Sequence, residues 1–282
     1  MNCIFVSDLH GNIKKYKKLF EIIIEKKPDA VFFGGDLLPN KIGLKKDMRS
    51  FLDDVIFSKI KKNNFSSKKT RFFIIMGNDD PRIFEKYFIQ ADKENIIEYI
   101  NEKTIRFNEL YVTGYSFVPP TPFQLKDWER YDVSRFVDVG SVSPEEGVRT
   151  VKVKNDDIRF STIADDLEKL SKNSPMEKTI FLFHSPPYNS CLDRANLDGK
   201  SIDHAPLDVH VGSIAIQRFI KNNQPFLTLH GHIHESSRIT KKWMEKNNNT
   251  FSYSAAYDGS ELAIVEFDTD NLGSAKRNLI KI

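Results

Sequence analysis

Five short apolar runs constrain this chain more than anything else in it, because each stops at a residue able to hold a metal ion. The runs cover residues 2–7, 30–33, 72–76, 179–183 and 226–229. Each has strand length and is dominated by apolar side chains, which marks a strand buried on both faces. The first ends in Ser7-Asp8-Leu9-His10-Gly11 and the second in Gly34-Gly35-Asp36. The third ends in Gly77-Asn78-Asp79-Asp80, the fourth at His184, and the fifth in His230-Gly231-His232-Ile233-His234. Each of these residues alone has a bland reading, as a cap of the next helix or a histidine at a wet strand end. All five strands ending this way by accident is much harder to accept.

Helical spacing separates the early runs. Tyr16, Leu19, Phe20, Ile23 and Ile24 share one face up to Pro28, a lysine-rich stretch spans about 44–62, and Pro81 fits a first helical turn. Strand alternating with helix predicts an α/β fold whose sheet is largely parallel. In such a sheet ligands bind beyond the carboxyl ends of the strands, where all five polar exits would meet. Gly35, Gly77 and Gly231 permit the tight turns that aim those exits inward. Further along, weaker strand patterns occur at 96–99, 104–107 and 110–114, and helical ones at 159–171 and 211–221. The tail, with strands expected at 251–254, 262–267 and 277–282, reads as antiparallel. Residues 116–155 keep no period but hold prolines and aromatics, which predicts an ordered insertion forming one wall of a site. With no internal repeat and no linker, the expectation is one domain over 1–282.

Composition narrows the setting. A formal charge of +3 on 282 residues gives no electrostatic footprint for nucleic acid, which is therefore disfavoured as a partner. The two cysteines, one of them Cys3 inside an apolar run, do not make a disulfide framework. No signal peptide and no membrane-spanning apolar segment is evident, so a cytoplasmic protein with no membrane partner is expected.

Asp8-x-His10, Gly35-Asp36, Gly77-Asn78, His184 and Gly231-His232-x-His234 together resemble the motif set of the calcineurin-like metallophosphoesterases. The resemblance runs from residue 5 to about 235 and rests on motif order as well as content. It implies a four-layer sandwich, two mixed β-sheets flanked by helices, in place of the wholly parallel sheet that the runs alone suggest. Two divalent ions are implied as cofactors, manganese first, with iron or zinc as alternatives for mixed N/O ligation. Asp8, His10 and His234 would hold one ion, Asn78, His184 and His232 the other, and Asp36 would bridge them. The implied activity is hydrolysis of a phosphodiester or phosphomonoester by a metal-bridging hydroxide. The implied partner is a phosphorylated small molecule or nucleotide; oligomeric state is left open.

One position departs from the family pattern. Where many members carry a histidine after the motif asparagine, thought to protonate the leaving oxygen, this chain has Asp79 followed by Asp80. A carboxylate of ordinary pKa, near 4, is ionised at neutral pH and cannot give that proton. Either Asp79 is raised, or another group such as His210 serves, or the leaving group needs no acid. Repulsion from Asp80 would raise Asp79 and a dimetal centre would lower it; alternatively Asp79 only caps the helix near Pro81. His204, His210 and His230 are otherwise read as loop or strand-end histidines, and Trp128, Arg130 and Arg135 as a possible phosphate or base-stacking wall. The lysines at 45, 46, 59, 61, 62, 68 and 69 read as a solvated helix face. Two other functions compete with the small-molecule esterase: a nuclease, and a scaffold that has lost its chemistry, which would show missing ligands.

Overall fold

A computed structural model describes residues 1–39, 48–63, 70–172 and 174–282. The strands are β1 (Asn2–Val6), β2 (Ala30–Gly34), β3 (Arg71–Ile75), β4 (Glu98–Tyr99), β5 (Thr104–Phe107), β6 (Leu110–Tyr115) and β7 (Thr179–Phe183). A small hairpin, β8 (Ser201–Ile202) and β9 (Ala205–Pro206), precedes β10 (Leu227–His230), β11 (Met244–Asn247), β12 (Thr250–Ser254), β13 (Leu262–Asp268) and β14 (Asn271–Ile280). The helices are α1 (Ile13–Lys26), α2 (Met48–Phe51), α3 (Ser58–Asn63), α4 (Glu85–Lys93), α5 (Asn155–Phe160), α6 (Ile163–Ser171), α7 (Ile214–Asn223) and α8 (Ser236–Thr240).

The strands form two six-stranded sheets, in the orders β14-β13-β1-β2-β3-β4 and β11-β12-β10-β7-β6-β5. In the first, β1 to β4 are parallel, β13 is antiparallel to β1 and β14 antiparallel to β13; in the second, β6, β7, β10 and β12 are parallel, edged by antiparallel β5 and β11. Alternation along each buried strand explains the layering. Phe5, Phe32, Phe73 and Ile75 of the first sheet share one apolar cluster with Ile180, Leu182, Leu227 and Leu229 of the second. Their neighbours Ile4, Val31, Ile74, Phe181 and Phe183 turn the other way, into a cluster with helix residues such as Leu19, Ile23, Ile216 and Phe219. Aromatic contacts stitch the sheets: Phe107 lies 5.2 Å from Phe73, and Tyr253 5.8 Å from Phe267.

Several expectations need correction. The sheets are mixed, as the family resemblance implies and the run-by-run reading does not. The tail is not wholly antiparallel: β12 is parallel to β10, because α8 and β11 carry the chain back across the sheet. The helix expected at 159–171 is two helices, since Thr162 leaves helical geometry and caps α6 by accepting from Asp165 N at 3.0 Å. That expected at 211–221 begins later because Ser213 is its cap, accepting from Ile216 N at 3.0 Å. The strand expected at 96–99 shrinks to its last two residues. Of the lysine-rich stretch, 48–62 is helical with Lys59, Lys61 and Lys62 exposed; Lys45, Lys46, Lys68 and Lys69 lie outside the described residues.

Insertion 116–155 is ordered without regular elements until α5. One of its anchors is fully buried. Lys126 Nζ donates to Glu129 Oε2 at 2.6 Å and to Thr121 O at 2.8 Å, all inside the protein. Asp132 meets the start of α7, accepting from Ile214 N at 2.6 Å and Ser213 Oγ at 2.5 Å.

Candidate metal centre

The carboxyl ends of β1, β2 and β3 from one sheet and of β7 and β10 from the other open onto the same edge. The first two exits are zipped: Asp8 N donates to Gly35 O at 3.0 Å, His10 N to Asp36 O at 2.8 Å and Gly11 N to Leu37 O at 2.9 Å. To turn this sharply Asp8, His10, Asp36 and His232 all adopt positive φ (57°, 45°, 53° and 74°). That backbone is sparsely populated for side-chain-bearing residues and is held here by the surrounding bonds. Gly77 is required by crowding: a Cβ there would lie 2.3 Å from Asp36 Oδ1 and 2.6 Å from His184 Cε1.

Two groups of ligand atoms result, each within 4.8 Å: Asp8, His10, Asp36 and His234 in one, and Asp36, His184 and His232 in the other. Asp36 belongs to both. Asn78 joins the second through its Oδ1, 3.0 Å from His184 Nε2. His184 Nδ1 lies 2.7 Å from Gly34 O, and donating there leaves Nε2 facing Asp36 Oδ2 at 3.3 Å. In the first group His234 Nε2 is 3.2 Å from both Asp8 Oδ1 and His10 Nε2.

The electrostatics is that of buried carboxylates among imidazoles. Burial opposes ionisation of Asp8 and Asp36, yet hydrogen bonds and charge from His234 and His184 outweigh it, and both carboxylates are lowered. Reciprocally, burial disfavours protonation of His184 and His234, but Asp36 and Asp8 raise them to about 10 and about 9. His232 goes the other way, to about 3, through burial and then the His184 charge. Among the described residues no Lys or Arg pairs with Asp8 or Asp36; their ion-pair partners are histidines. Buried carboxylates, imidazole nitrogens and an amide oxygen converging without a fixed cation fit a divalent metal centre.

Asp79 and Asp80 part company. Asp80 is fully buried, and its carboxylate accepts from Gly77 N (3.0 Å), Leu37 N (2.9 Å) and Leu38 N (2.8 Å), locking the β2 and β3 exits together. Sequence reasoning misses this knot; a second carboxylate directly after the motif is its only signal. Asp79 remains at the site edge, accepting from Asn78 Nδ2 at 3.0 Å, with Oδ2 3.8 Å from His10 Nδ1. It does not cap the following turn. Asp79 is raised by burial and then by the Asp36 charge, so Asp80 is not the cause anticipated.

The aromatic and arginine wall does not form. Trp128 is buried, its Nε1 donating to Asp80 O at 2.8 Å. Arg130 lies over Phe117 and pairs with Asp166 and Glu102, while Arg135 pairs with Glu145 at 2.6 Å. Buried Tyr115 donates to the same Asp166. His230 is a core residue, 2.9 Å from Ser185 O and 2.8 Å from Thr228 Oγ1. His204 is exposed in the turn of the β8–β9 hairpin. His210 is partly buried against Asp193.

Two mixed six-stranded sheets with such an edge define a metallophosphoesterase fold, and the chain belongs to the calcineurin-like phosphoesterase family, whose model matches residues 1–236. It is similar to the DNA double-strand break repair protein Mre11 of Nanoarchaeum equitans, with 29% identity over 150 residues, 46% of this chain and 38% of that protein. The match thus spans well under half the length of that relative. Among solved structures it is similar to TT1561 of Thermus thermophilus (TM-score 0.58, 16% identity, 99% of each chain). A dimetal phosphatase from Danio rerio is also similar (TM-score 0.52, 10% identity, 94% of this chain and 95% of that one). At these identities the structural likeness speaks for the fold.

Proposed function

We propose that this chain is a dinuclear metal-dependent phosphoesterase acting on a phosphorylated small molecule or nucleotide. The observation that carries the reading is Asp36, a buried carboxylate common to both ligand groups. Asp8, His10 and His234 would hold one ion and Asn78, His184 and His232 the other, with Asp36 as the carboxylate common to both groups. When bound, divalent ions supply positive charge for the phosphoryl oxygens and acidify a water for attack, manganese being the first choice and iron or zinc the alternatives.

The protein's own part is orientation. Gly34 O fixes the His184 ring, Asp79 N holds Asp36 Oδ1 at 2.8 Å, and His232 N holds Asp8. A hydrolysis panel with added manganese tests the reading, comparing bis-(p-nitrophenyl) phosphate, p-nitrophenyl phosphate, cyclic nucleotides and single-stranded DNA. Cleavage of a small ester that EDTA abolishes supports it. No cleavage of anything in the panel, in protein that retains no metal, returns the chain to a scaffold role.

The likeness to Mre11 favours a second reading, a nuclease, for which the same panel must show DNA cleaved in preference to the small esters. Free thiols at Cys3 and Cys191 support a reducing, cytoplasmic setting. No helix among the described residues is long and apolar enough to cross a membrane.

A further inference from the structure

Position 79, where a leaving-group acid would be expected, is a carboxylate, and the segment between β7 and α7 carries a histidine, His210. Because β7, α7 and β10 make a parallel crossover, α7 starts at the edge where His184 leaves the sheet. The segment is pinned to both histidine-bearing exits. Ser213 N donates to Pro186 O at 2.9 Å and Tyr188 N to Ser213 O at 3.0 Å, two to four residues beyond His184. Arg194 N donates to Ser236 Oγ at 3.0 Å and Asn196 N to Glu235 Oε1 at 3.1 Å, just beyond His234. His210 forms an isolated bridge with Arg194 and so lies between these anchors.

Its imidazole is held on several sides. Nδ1 is 2.8 Å from Oδ1 of Asp193, a fully buried carboxylate. The Asp193 oxygens also accept from the backbone N–H groups of Asn189 (2.9 Å), Ser190 (2.9 Å) and Gly212 (3.1 Å). With donors converging on it, Asp193 is the acceptor, so His210 presents Nδ1–H to it, and Nε2 is the ring nitrogen left for another partner. Tyr188 stands edge-on to the ring at 6.0 Å between centroids. Asp208 ties both, accepting from Tyr188 Oη at 2.7 Å and from His210 N at 2.8 Å.

We propose that His210 is the catalytic proton donor to the leaving oxygen and Asp193 its positioning residue, suiting the enzyme to esters of unactivated alcohols such as a nucleotide's sugar hydroxyl. This rests on the phosphoesterase reading. As the attacking oxygen bonds to phosphorus, the bond from phosphorus to the leaving oxygen breaks. That oxygen keeps the electron pair and takes the Nε2 proton of the His210 imidazolium. Neutral His210 keeps Nδ1–H on Asp193, and solvent restores the Nε2 proton. Asp193 stays a carboxylate throughout.

Two measurements test it on the full chain. With manganese-loaded protein, His210→Asn is compared with wild type on a phosphodiester losing p-nitrophenolate and on its analogue losing an alkoxide. General acids typically contribute about 10²–10⁴-fold, so the alkyl ester should lose about that much and the aryl ester at least tenfold less. Asp193→Asn should show the same asymmetry in weaker form. In metal-free protein, imidazole ¹⁵N shifts should report the Nδ1–H form at His210, lost in Asp193→Asn. Equal losses on both esters, no loss on either, or an Nδ1 that carries no proton overturns the pair. Wild-type protein that cleaves neither ester overturns the phosphoesterase reading itself, and the pair with it.

Discussion

His232 donates its backbone N–H to both carboxylate oxygens of Asp8, at 3.1 and 3.2 Å. Asp8 leaves a strand of one sheet and His232 a strand of the other, so this bond closes the sandwich at the site. It also fixes the rotation of the Asp8 carboxylate, whose Oδ1 then sits 3.2 Å from His234 Nε2. Backbone of one sheet thereby orients a ligand carried by the other.

Asp36→Asn should damage both halves of the centre, because Asp36 belongs to both ligand groups. Losing the shared charge should lower metal content per chain, read by inductively coupled plasma mass spectrometry, from about two ions to one or fewer. Activity on an aryl phosphate should fall by about a hundredfold or more. A variant retaining both ions and full activity would remove Asp36 from the bridging role.

Asp79→Ala should behave differently. Its backbone N–H, which holds Asp36 Oδ1 at 2.8 Å, survives the substitution, and the side chain removed is only a carboxylate at the site edge. Turnover of an activated aryl phosphate should stay within about tenfold of wild type, since a good leaving group needs no acid. A collapse matching that of Asp36→Asn would sink this view of Asp79.

Gly77→Ala tests the crowding at the β3 exit. The new methyl would meet Asp36 Oδ1 at 2.3 Å and Asp36 N at 2.6 Å, so the loops must separate, at a cost of about 1–3 kcal/mol. Gly199 is the control: its φ is +68° but no atom lies within 4 Å of where a methyl would stand, so Gly199→Ala should cost about 1 kcal/mol from backbone strain alone. Urea unfolding of both variants in EDTA decides; equal losses would mean crowding at Gly77 is relieved freely.

His230 should make the metal-free protein acid-sensitive. Burial holds this imidazole down to about 4 against an ordinary 6.5, with the bond to Ser185 O pulling weakly the other way. The unfolded chain takes up the proton below about pH 6.5 and the folded one only near pH 4, so the unfolded state gains stability as pH falls through that window. The contribution is fully present above pH 6.5, and about 3 kcal/mol of it is gone by pH 4. Denaturation in EDTA from pH 7 to 4 should show a slope that His230→Gln flattens by about that amount; an unchanged slope would contradict it.

Lys126→Met should be among the most destabilising changes in the insertion. It strands Glu129, whose buried side chain among the described residues otherwise bonds to Thr121, and breaking one side of a buried pair costs about 3–5 kcal/mol. Adding Glu129→Gln should recover a measurable part of the lost thermal midpoint. No recovery would place the cost in packing and not in charge.

Much of the fold and the candidate site can be read from local pattern. Apolar runs such as 30–33 and 179–183 are legible as doubly buried strands because burial on both faces leaves no room for a polar residue. The polar residues that end them are legible because a parallel strand delivers its last side chains to one edge. Pairing partners are not: β12 joins β10 in parallel and the tail is split between two sheets, since register and neighbour choice depend on contacts distant in sequence. Trp128, Arg130 and Arg135 fail as a wall for the same reason, since residue type does not say whether a ring or guanidinium points to solvent or to Asp80, Asp166 and Glu145.

Residue order alone therefore determined which side chains this protein brings to its strand ends: Asp8, His10, Asp36, Asn78, His184, His232 and His234. Tertiary structure decided what each carboxylate and imidazole does there. Asp80 turns inward to knot two backbones while Asp79 stays at the edge, and His230 goes into the core while His210 stands on Asp193. The physical reason is that a titratable group's role is set by the donors, acceptors and charges within a few ångströms of it, and those come from segments as much as 226 residues away at this site.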